Sequence, residues 1–281
     1  MIFYKTSSRG NDFIAIDARE AAGAGIPVLV RGICDRQRGV GADGVVFYRV
    51  GARACSFQVY NRDGGAAELS GNGMAGLAAV LLQRRLARSP LDLRAAIGRR
   101  RVVLAGRQGP LFRLDVEIGA PDFAARGFFP FLRGKQLTRR IAGVDVHPVS
   151  VGNPHAVVIC RRLPAYERLA ALGERLEGHP LFPKRVNVEF VEPLGAERCR
   201  VFFYERGVGP TQASSTGSAA VFAVLRRLAT IHDRLRIEPV AAATAQGTSA
   251  QEDPIQVRWQ DGIHVDIVTR LVCRGEYFPG R

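Results

Sequence analysis

Tyr60-Asn61-Arg62-Asp63-Gly64, running on to Ser70-Gly71-Asn72-Gly73, has a counterpart about half a chain length downstream. There Tyr204-Glu205-Arg206-Gly207 runs on to Ser214-Ser215-Thr216-Gly217. In both stretches an apolar run ends on tyrosine, a Gly-containing turn follows, and a serine opens a segment with apolar residues at helical spacing. Those residues are Leu77, Val80 and Leu81 in the first copy and Val221, Val224, Leu225 and Leu228 in the second. Both segments close on paired arginines, Arg84-Arg85 and Arg226-Arg227, which suit the negative carboxyl end of a helix. A strand, Gly-rich turn and helix repeated at half-length predicts a duplicated domain. The boundaries read as an N-terminal domain over 1–118, joined by a last strand over 269–281, and a C-terminal domain over 119–268.

Short apolar runs with frequent turn signals predict more strands than helices. The clearest hairpin alternates through Ile255, Val257 and Trp259, turns at Asp261-Gly262, and alternates again through Ile263, Val265 and Ile267. Further strands are expected at 13–17, 45–50, 56–60, 101–104, 111–117, 155–160, 186–191 and 200–204. Helices are expected at 27–37, 72–86, 166–176 and 216–228, with apolar residues on one face.

The 281 residues suffice for one large or two modest domains, and 47% hydrophobic with 23% charged residues is an ordinary globular balance. No apolar run approaches the roughly 20 residues of a spanning helix, and no secretory leader is visible, so a cytoplasmic protein without a membrane partner is expected. Five scattered cysteines, Cys34, Cys55, Cys160, Cys199 and Cys273, form no Cys-x-x-Cys pair and argue against a disulfide framework or a zinc cage. The net charge of +14 raises nucleic acid as a partner, yet only three of the 40 basic residues are lysines and the arginines scatter in short groups. Without a recognition-helix, RNP-type or zinc-finger pattern, the charge fits small anionic ligands better than nucleic acid.

A strand feeding a Gly-rich turn and then a helix leaves backbone N–H groups pointing out of the helix start, an arrangement suited to a carboxylate or phosphate. Serine at such a position is also an ordinary N-cap, and Asn61-Arg62-Asp63-Gly64 also reads as a turn.

Seven segments, in order, resemble the diaminopimelate epimerase family. They are Gly10-Asn11-Asp12-Phe13, Gly39-Val40-Gly41-Ala42-Asp43-Gly44, Asn61-Arg62-Asp63-Gly64, Gly71-Asn72-Gly73, Gly152-Asn153-Pro154-His155, Arg185-Val186-Asn187 and Tyr204-Glu205-Arg206-Gly207-Val208-Gly209. The resemblance implies an α+β fold of two similar domains, each a curled, mostly antiparallel sheet around a central helix, with substrate in the cleft between them. It implies an amino-acid epimerase of the lysine and peptidoglycan precursor pathway that uses neither pyridoxal phosphate nor metal. Its partner is then a small amino-acid or dicarboxylate substrate, and a homodimer stays open.

In that family two cysteines remove and return the Cα proton on opposite faces. By motif, their positions here are Ser70 and Ser214. The family also implies that Gly71, Asn72, Ser215 and Thr216 cradle the reacting carboxylate. Asn11, Asn61, Asn153, Asn187, Glu205 and Arg206 match positions that hold the other substrate groups. A serine hydroxyl titrates roughly five units above a thiol, which raises the cost of the anion by about 7 kcal/mol and slows proton abstraction by about five decades unless a base assists. His155 and Glu205 are the candidates for that assistance. Met74-Ala75-Gly76, Pro210 and Arg270-Leu271-Val272 also depart from the family pattern, which points to divergence and not to a deliberate exchange of two cysteines. Three readings follow: an epimerase working through serines, an isomerase or dehydratase of the same superfamily with another substrate, and a catalytically silent amino-acid-binding paralogue.

Overall fold

The computed structural model describes residues 1–21, 25–52, 54–132, 138–240 and 254–279. It divides into two compact units, Met1–Glu117 with Asp266–Arg281, and Ile118–Val265.

The amino-terminal unit contains β1 (Ile2–Ser8), β2 (Asn11–Asp17), α1 (Ile26–Cys34), β3 (Gly44–Val50), β4 (Cys55–Asn61), β5 (Ala66–Ala67), α2 (Gly71–Gln83), β6 (Leu91–Ala95), β7 (Gly98–Gln108) and most of β8 (Leu111–Gly119). Sheet pairing runs β1–β2–β3–β4–β6–β7–β8, and a strand from the chain terminus pairs with both β8 and β1 to close the ring. β2 and β3 are parallel because α1 carries the chain back between them. α1 packs Leu29, Val30 and Ile33 against Ile14, Ile16 and Val45.

The carboxy-terminal unit repeats that order. It holds β9 (Arg139–Ile141), β10 (Val144–Ser150), β11 (Pro154–Ile159), α3 (Tyr166–Glu177), β12 (Asn187–Pro193), β13 (Arg198–Glu205), β14 (Gly209–Thr211), α4 (Ser215–Arg227), β15 (Arg234–Pro239), β16 (Ile255–Trp259) and the start of β17 (Ile263–Glu276). Here too a hairpin, β10–β11, is followed by a helical crossover to the parallel strand β12, and a second parallel pair, β13–β15, flanks the central helix. Its core gathers Phe129, Leu169, Leu176, Phe182, Phe190 and Phe202 under α3. β17 is the terminal strand of both units: its first three residues belong to the second and the rest to the first. It begins earlier than the expected 269 and ends at Glu276; residues 280 and 281 lie outside the described residues.

The amphipathic reading of the two central helices needs correction. Every residue from Gly71 to Leu81 and from Ser215 to Leu225 is buried, whichever way it points, while Leu228 is exposed. A curled sheet contacts each helix on several sides: β1, β2, β3 and β7 around α2, and β10, β11, β12 and β16 around α4. Small residues such as Ala75, Gly76, Ala78 and Ala79 in α2 permit that envelopment. Both helices end alike, with Leu86 N–H reaching Leu81 O at 2.9 Å and Thr230 N–H reaching Leu225 O at 3.0 Å. Arg85 and Ala229 take the left-handed conformation there, each at φ 55°. Among the described residues no helix is long and apolar enough to cross a membrane.

Candidate functional site

Both serines are N-caps. Ser70 leaves the sheet in extended geometry and its Oγ accepts from Gly73 N–H at 3.1 Å; Ser214 does the same with Gly217 N–H at 3.2 Å. Glycine three residues after the cap follows from close approach. A Cβ on Gly73 would lie 3.2 Å from Val46 Cγ2, and one on Gly217 would lie 2.7 Å from Glu189 Oε1 and 2.9 Å from Phe203 Cδ1. Among the described residues neither hydroxyl hydrogen-bonds to a carboxylate or an imidazole. The backbone N–H groups of Gly71, Asn72, Ser215 and Thr216, all in buried residues, hydrogen-bond to no described residue. Buried N–H groups are seldom left without a partner, so these four are open to a ligand or to water at the two helix starts.

In the amino-terminal unit a chain of hydrogen bonds backs the start of α2. Asn72 Nδ2 donates to Asn11 Oδ1 at 2.9 Å, and Asn11 Nδ2 donates to Asp43 Oδ2 at 3.1 Å. Asp43 and Asp12 clasp each other through backbone: Asp12 N–H donates to Asp43 Oδ2 at 3.1 Å and Asp43 N–H to Asp12 Oδ1 at 3.0 Å. Arg36 bridges both carboxylates at 2.8 Å, and Lys5 Nζ lies 3.0 Å from Asp12 Oδ2. Burial raises the Asp43 carboxyl above its ordinary range. Burial acts the same way on Asp12, but hydrogen bonds from Arg36 and Lys5 together with their charges outweigh it and hold that carboxyl low. Asn61, the last residue of β4, is half-buried, and its side-chain amide has no hydrogen-bond partner among the described residues.

In the carboxy-terminal unit Asn153 takes the place of Asn11 and Thr216 that of Asn72, joined by an Asn153 Nδ2 to Thr216 Oγ1 contact of 3.3 Å. Behind Asn153 stands a different pair. His155 Nε2 is 2.9 Å from Asn153 Oδ1, and His155 Nδ1 is 2.7 Å from Glu189 Oε1. His155 is 0% exposed and Glu189 1%, and the other carboxyl oxygen of Glu189 is buried without a hydrogen-bond partner. Both ring nitrogens of His155 are thus engaged inside its own unit. Asn187 is occupied by backbone at both ends, donating to Pro154 O at 2.9 Å and accepting from Arg206 N–H at 3.0 Å. It ties the Gly-Asn-Pro turn to the Glu205-Arg206 turn. That second turn is also held by the buried carboxylate of Glu177, which accepts from Gly207 N–H at 2.9 Å and from Arg185 Nη2 at 2.5 Å. Arg206 donates through Nη1 to Lys184 O at 3.0 Å, and half-buried Glu205 accepts Val208 N–H on its carbonyl.

Glu189 and Glu177 were not among the sequence candidates. For Glu189 a signal existed, a lone carboxylate in the apolar run Asn187-Val188-Glu189-Phe190-Val191; Glu177 gave none, since it closes an ordinary amphipathic helix. Four of the five cysteines are poor substitute bases: burial raises the thiols of Cys34, Cys55 and Cys199 to about 12 and that of Cys160 upward as well. Among the described residues no group of three or more His, Cys, Asp and Glu side chains is placed to hold a metal ion.

Comparison with known proteins agrees with this architecture. The family model described as diaminopimelate epimerase matches residues 3–123 and 148–270. A diaminopimelate epimerase of Synechococcus sp. (strain JA-2-3B'a(2-13)) is 37% identical over 78% of this chain and 80% of its own length. That of Cyanothece sp. (strain PCC 7425 / ATCC 29141) is 35% identical over 92% and 91%. Among solved structures, a predicted epimerase from Pseudomonas aeruginosa superposes with a TM-score of 0.67 at 14% identity, covering 99% of both chains. A hydroxyproline epimerase from Agrobacterium vitis gives the same TM-score at 17% identity, over 99% of this chain and 89% of that one. At such identity the two structures bear on the fold alone, which is the two-domain α+β fold. The family match and the sequence relatives, taken with the duplicated strand, turn and serine-capped helix, place this chain in the diaminopimelate epimerase family.

Proposed function

We propose that this chain binds an amino acid of the diaminopimelate class and exchanges its Cα proton slowly, as an epimerase of the lysine and peptidoglycan precursor pathway in which serine stands at both proton-transfer positions. The observation that carries the reading is that, at the start of the central helix of each unit, two backbone N–H groups in buried residues, those of Gly71 and Asn72 in one and of Ser215 and Thr216 in the other, hydrogen-bond to no described residue. Such donors stabilise a carboxylate, and they stabilise it further as it takes on enolate-like charge when the Cα proton leaves. The alkoxide form of one serine, Ser70 or Ser214, takes the Cα proton, which breaks the Cα–H bond and leaves its electron pair delocalised into that carboxylate; the neutral hydroxyl of the other serine gives its proton to the opposite face and is left as the alkoxide. The N–H groups of Gly73 and Gly217, directed at the two Oγ atoms, favour the charged form of each hydroxyl. Asn11, Asn61, Asn153, Glu205 and Arg206 are the proposed contacts to the amino and distal groups, with Asn187 holding two of the turns that carry them.

A second reading, an amino-acid-binding protein without turnover, is favoured by one specific observation: neither serine hydroxyl has a general base bonded to it among the described residues. Incubation with LL- and meso-diaminopimelate in deuterium oxide, followed at Cα by NMR, separates the two. The first reading expects binding with slow deuterium entry, and an increase of up to about five decades in the Ser70→Cys, Ser214→Cys double variant. Binding without exchange in the natural chain supports the second. Failure of both proteins to bind either isomer overturns both.

A further inference from the structure

Matching the strand registers of the two units sets Gly44, paired with Phe13, against Asn187, paired with His155. Phe13 is then the counterpart of His155, and Val46 that of Glu189. Both Val46 and Glu189 lie against the glycine of the first turn of their helix. The amino-terminal unit fills this place with an apolar pair, whereas the carboxy-terminal unit buries an imidazole and a carboxyl group there. A polar pair kept in a place that hydrocarbon fills equally well calls for a reason beyond packing.

The donor and acceptor inventory supplies one. Asn153 Nδ2 faces Thr216 Oγ1, so its Oδ1 faces His155 Nε2; an amide oxygen only accepts, and Nε2 therefore carries a proton. Amide orientation follows from the network and not from the atoms themselves, and the reversed amide would use the single hydroxyl proton of Thr216 inside the protein. With the orientation seen, Thr216 accepts from Asn153 and its O–H is left to donate outward. One proton on the line between Glu189 Oε1 and His155 Nδ1 completes the set without a net buried charge. It also makes the unpartnered Glu189 oxygen a carbonyl, which tolerates burial far better than a carboxylate oxygen does.

We infer that Glu189 is a positioning residue: sharing one proton with His155, it fixes the imidazole in its Nε2–H form, which orients Asn153 so that the Thr216 hydroxyl donates to a substrate carboxylate at the start of α4. The role assigned to Thr216 rests on the function proposed above; the imidazole form does not. His155 in this scheme acts through Asn153 and moves no substrate proton.

The experiment combines 15N NMR of histidine-labelled protein with calorimetric titration of meso-diaminopimelate. Glutamine mimics a protonated glutamate, donating to Nδ1, so Glu189→Gln is expected to keep the Nε2–H signature and to bind within about threefold of the natural chain. The double variant His155→Phe, Glu189→Val, which installs the apolar pair of the other unit, is expected to fold cooperatively and to bind about tenfold more weakly. An Nδ1–H imidazole in the natural chain or in Glu189→Gln overturns the inference, as does natural affinity in the double variant. If the natural chain binds no diaminopimelate, the proposed function fails, while the imidazole signal, which needs no ligand, still decides the role of Glu189. Should the double variant fail to fold, Glu189→Gln carries the test.

Discussion

The starts of α2 and α4 are built on one plan and backed by opposite chemistry. Each has a serine cap, a glycine pressed against strand side chains, and an asparagine reaching the second helical residue. Behind Asn11 the hydrogen bonds run inward, from Asn72 through Asn11 to the carboxylate of Asp43, which lies in a partly exposed network of ions. Behind Asn153 they run outward, from His155 through Asn153 to Thr216, and their source is wholly buried. A carboxylate behind the first chain draws donors toward itself; a protonated Nε2 behind the second sends them away. A duplicated backbone therefore does not commit its two halves to the same polarity.

The largest effect that would break this comparison comes from half-exchanging the buried pair. His155→Phe alone leaves Glu189 buried without its partner and is expected to cost about 3–5 kcal/mol in urea unfolding. Adding Glu189→Val should return stability to within about 1–2 kcal/mol of the natural chain, because the apolar pair is the one the other unit already uses. If the single and double variants are equally destabilised, the two positions are not interchangeable in the way their strand registers suggest.

Next in size is a difference in how tightly the helices are held. A Cβ on Gly76 would collide with Thr6 Oγ1 on β1, whereas the matching position of α4 already holds buried Ala220. Gly76→Ala should destabilise by about 1–3 kcal/mol through overpacking despite the better helix propensity of alanine. A neutral or stabilising result would mean that β1 yields to α2 as readily as the other sheet accommodates alanine.

The caps should behave alike. Ser70→Ala and Ser214→Ala are each expected to cost about 1 kcal/mol, measured by thermal or urea unfolding, since each removes one hydroxyl acceptor from a first-turn N–H. A much larger loss at one of them would show that its hydroxyl does more for the fold than cap a helix.

The smallest expected effect concerns acid. Asp12 is held below its usual 3.8 in the folded chain, so the stability it contributes is present above that value and is lost as pH falls through the folded one. Asp43 is raised, so its term has the opposite sign: it is present at low pH and lost as pH rises through the folded value. On acidification below about pH 4, amide exchange on the β1–β2 hairpin should quicken, and Asp12→Asn should flatten that dependence. An unchanged profile in the variant would exclude the ion cluster as the cause.

Elements set by local pattern were legible in the sequence. The hairpin alternating from Ile255 to Ile267 appears as β16 and β17, with Asp261 at φ 55° in its turn. The four expected helices appear with ends shifted by a few residues. The strands expected from the sequence do not include β1, because Lys5, Thr6 and Ser7 break its apolar run. Only the sheet shows why they are tolerated: Lys5 is paired with Asp12, and Thr6 donates to Phe13 O at 3.3 Å. The expectation of a one-sided helix fails for a similar reason, since period alone does not say whether a sheet stops at one side of a helix or curls around it.

Sequence by itself determined the duplication, the family and the two serine positions, because strand alternation, turn glycines and caps are short-range requirements written into neighbouring residues. The tertiary structure alone decided that among the described residues no base is bonded to either capping serine, that Asn187 is occupied by backbone, and that Glu189 reaches His155. Asn187 meets residues 19 and 33 positions away and Glu189 meets His155 at a separation of 34, and side-chain hydrogen bonds at such distances along the chain are fixed only once the sheet has set its register.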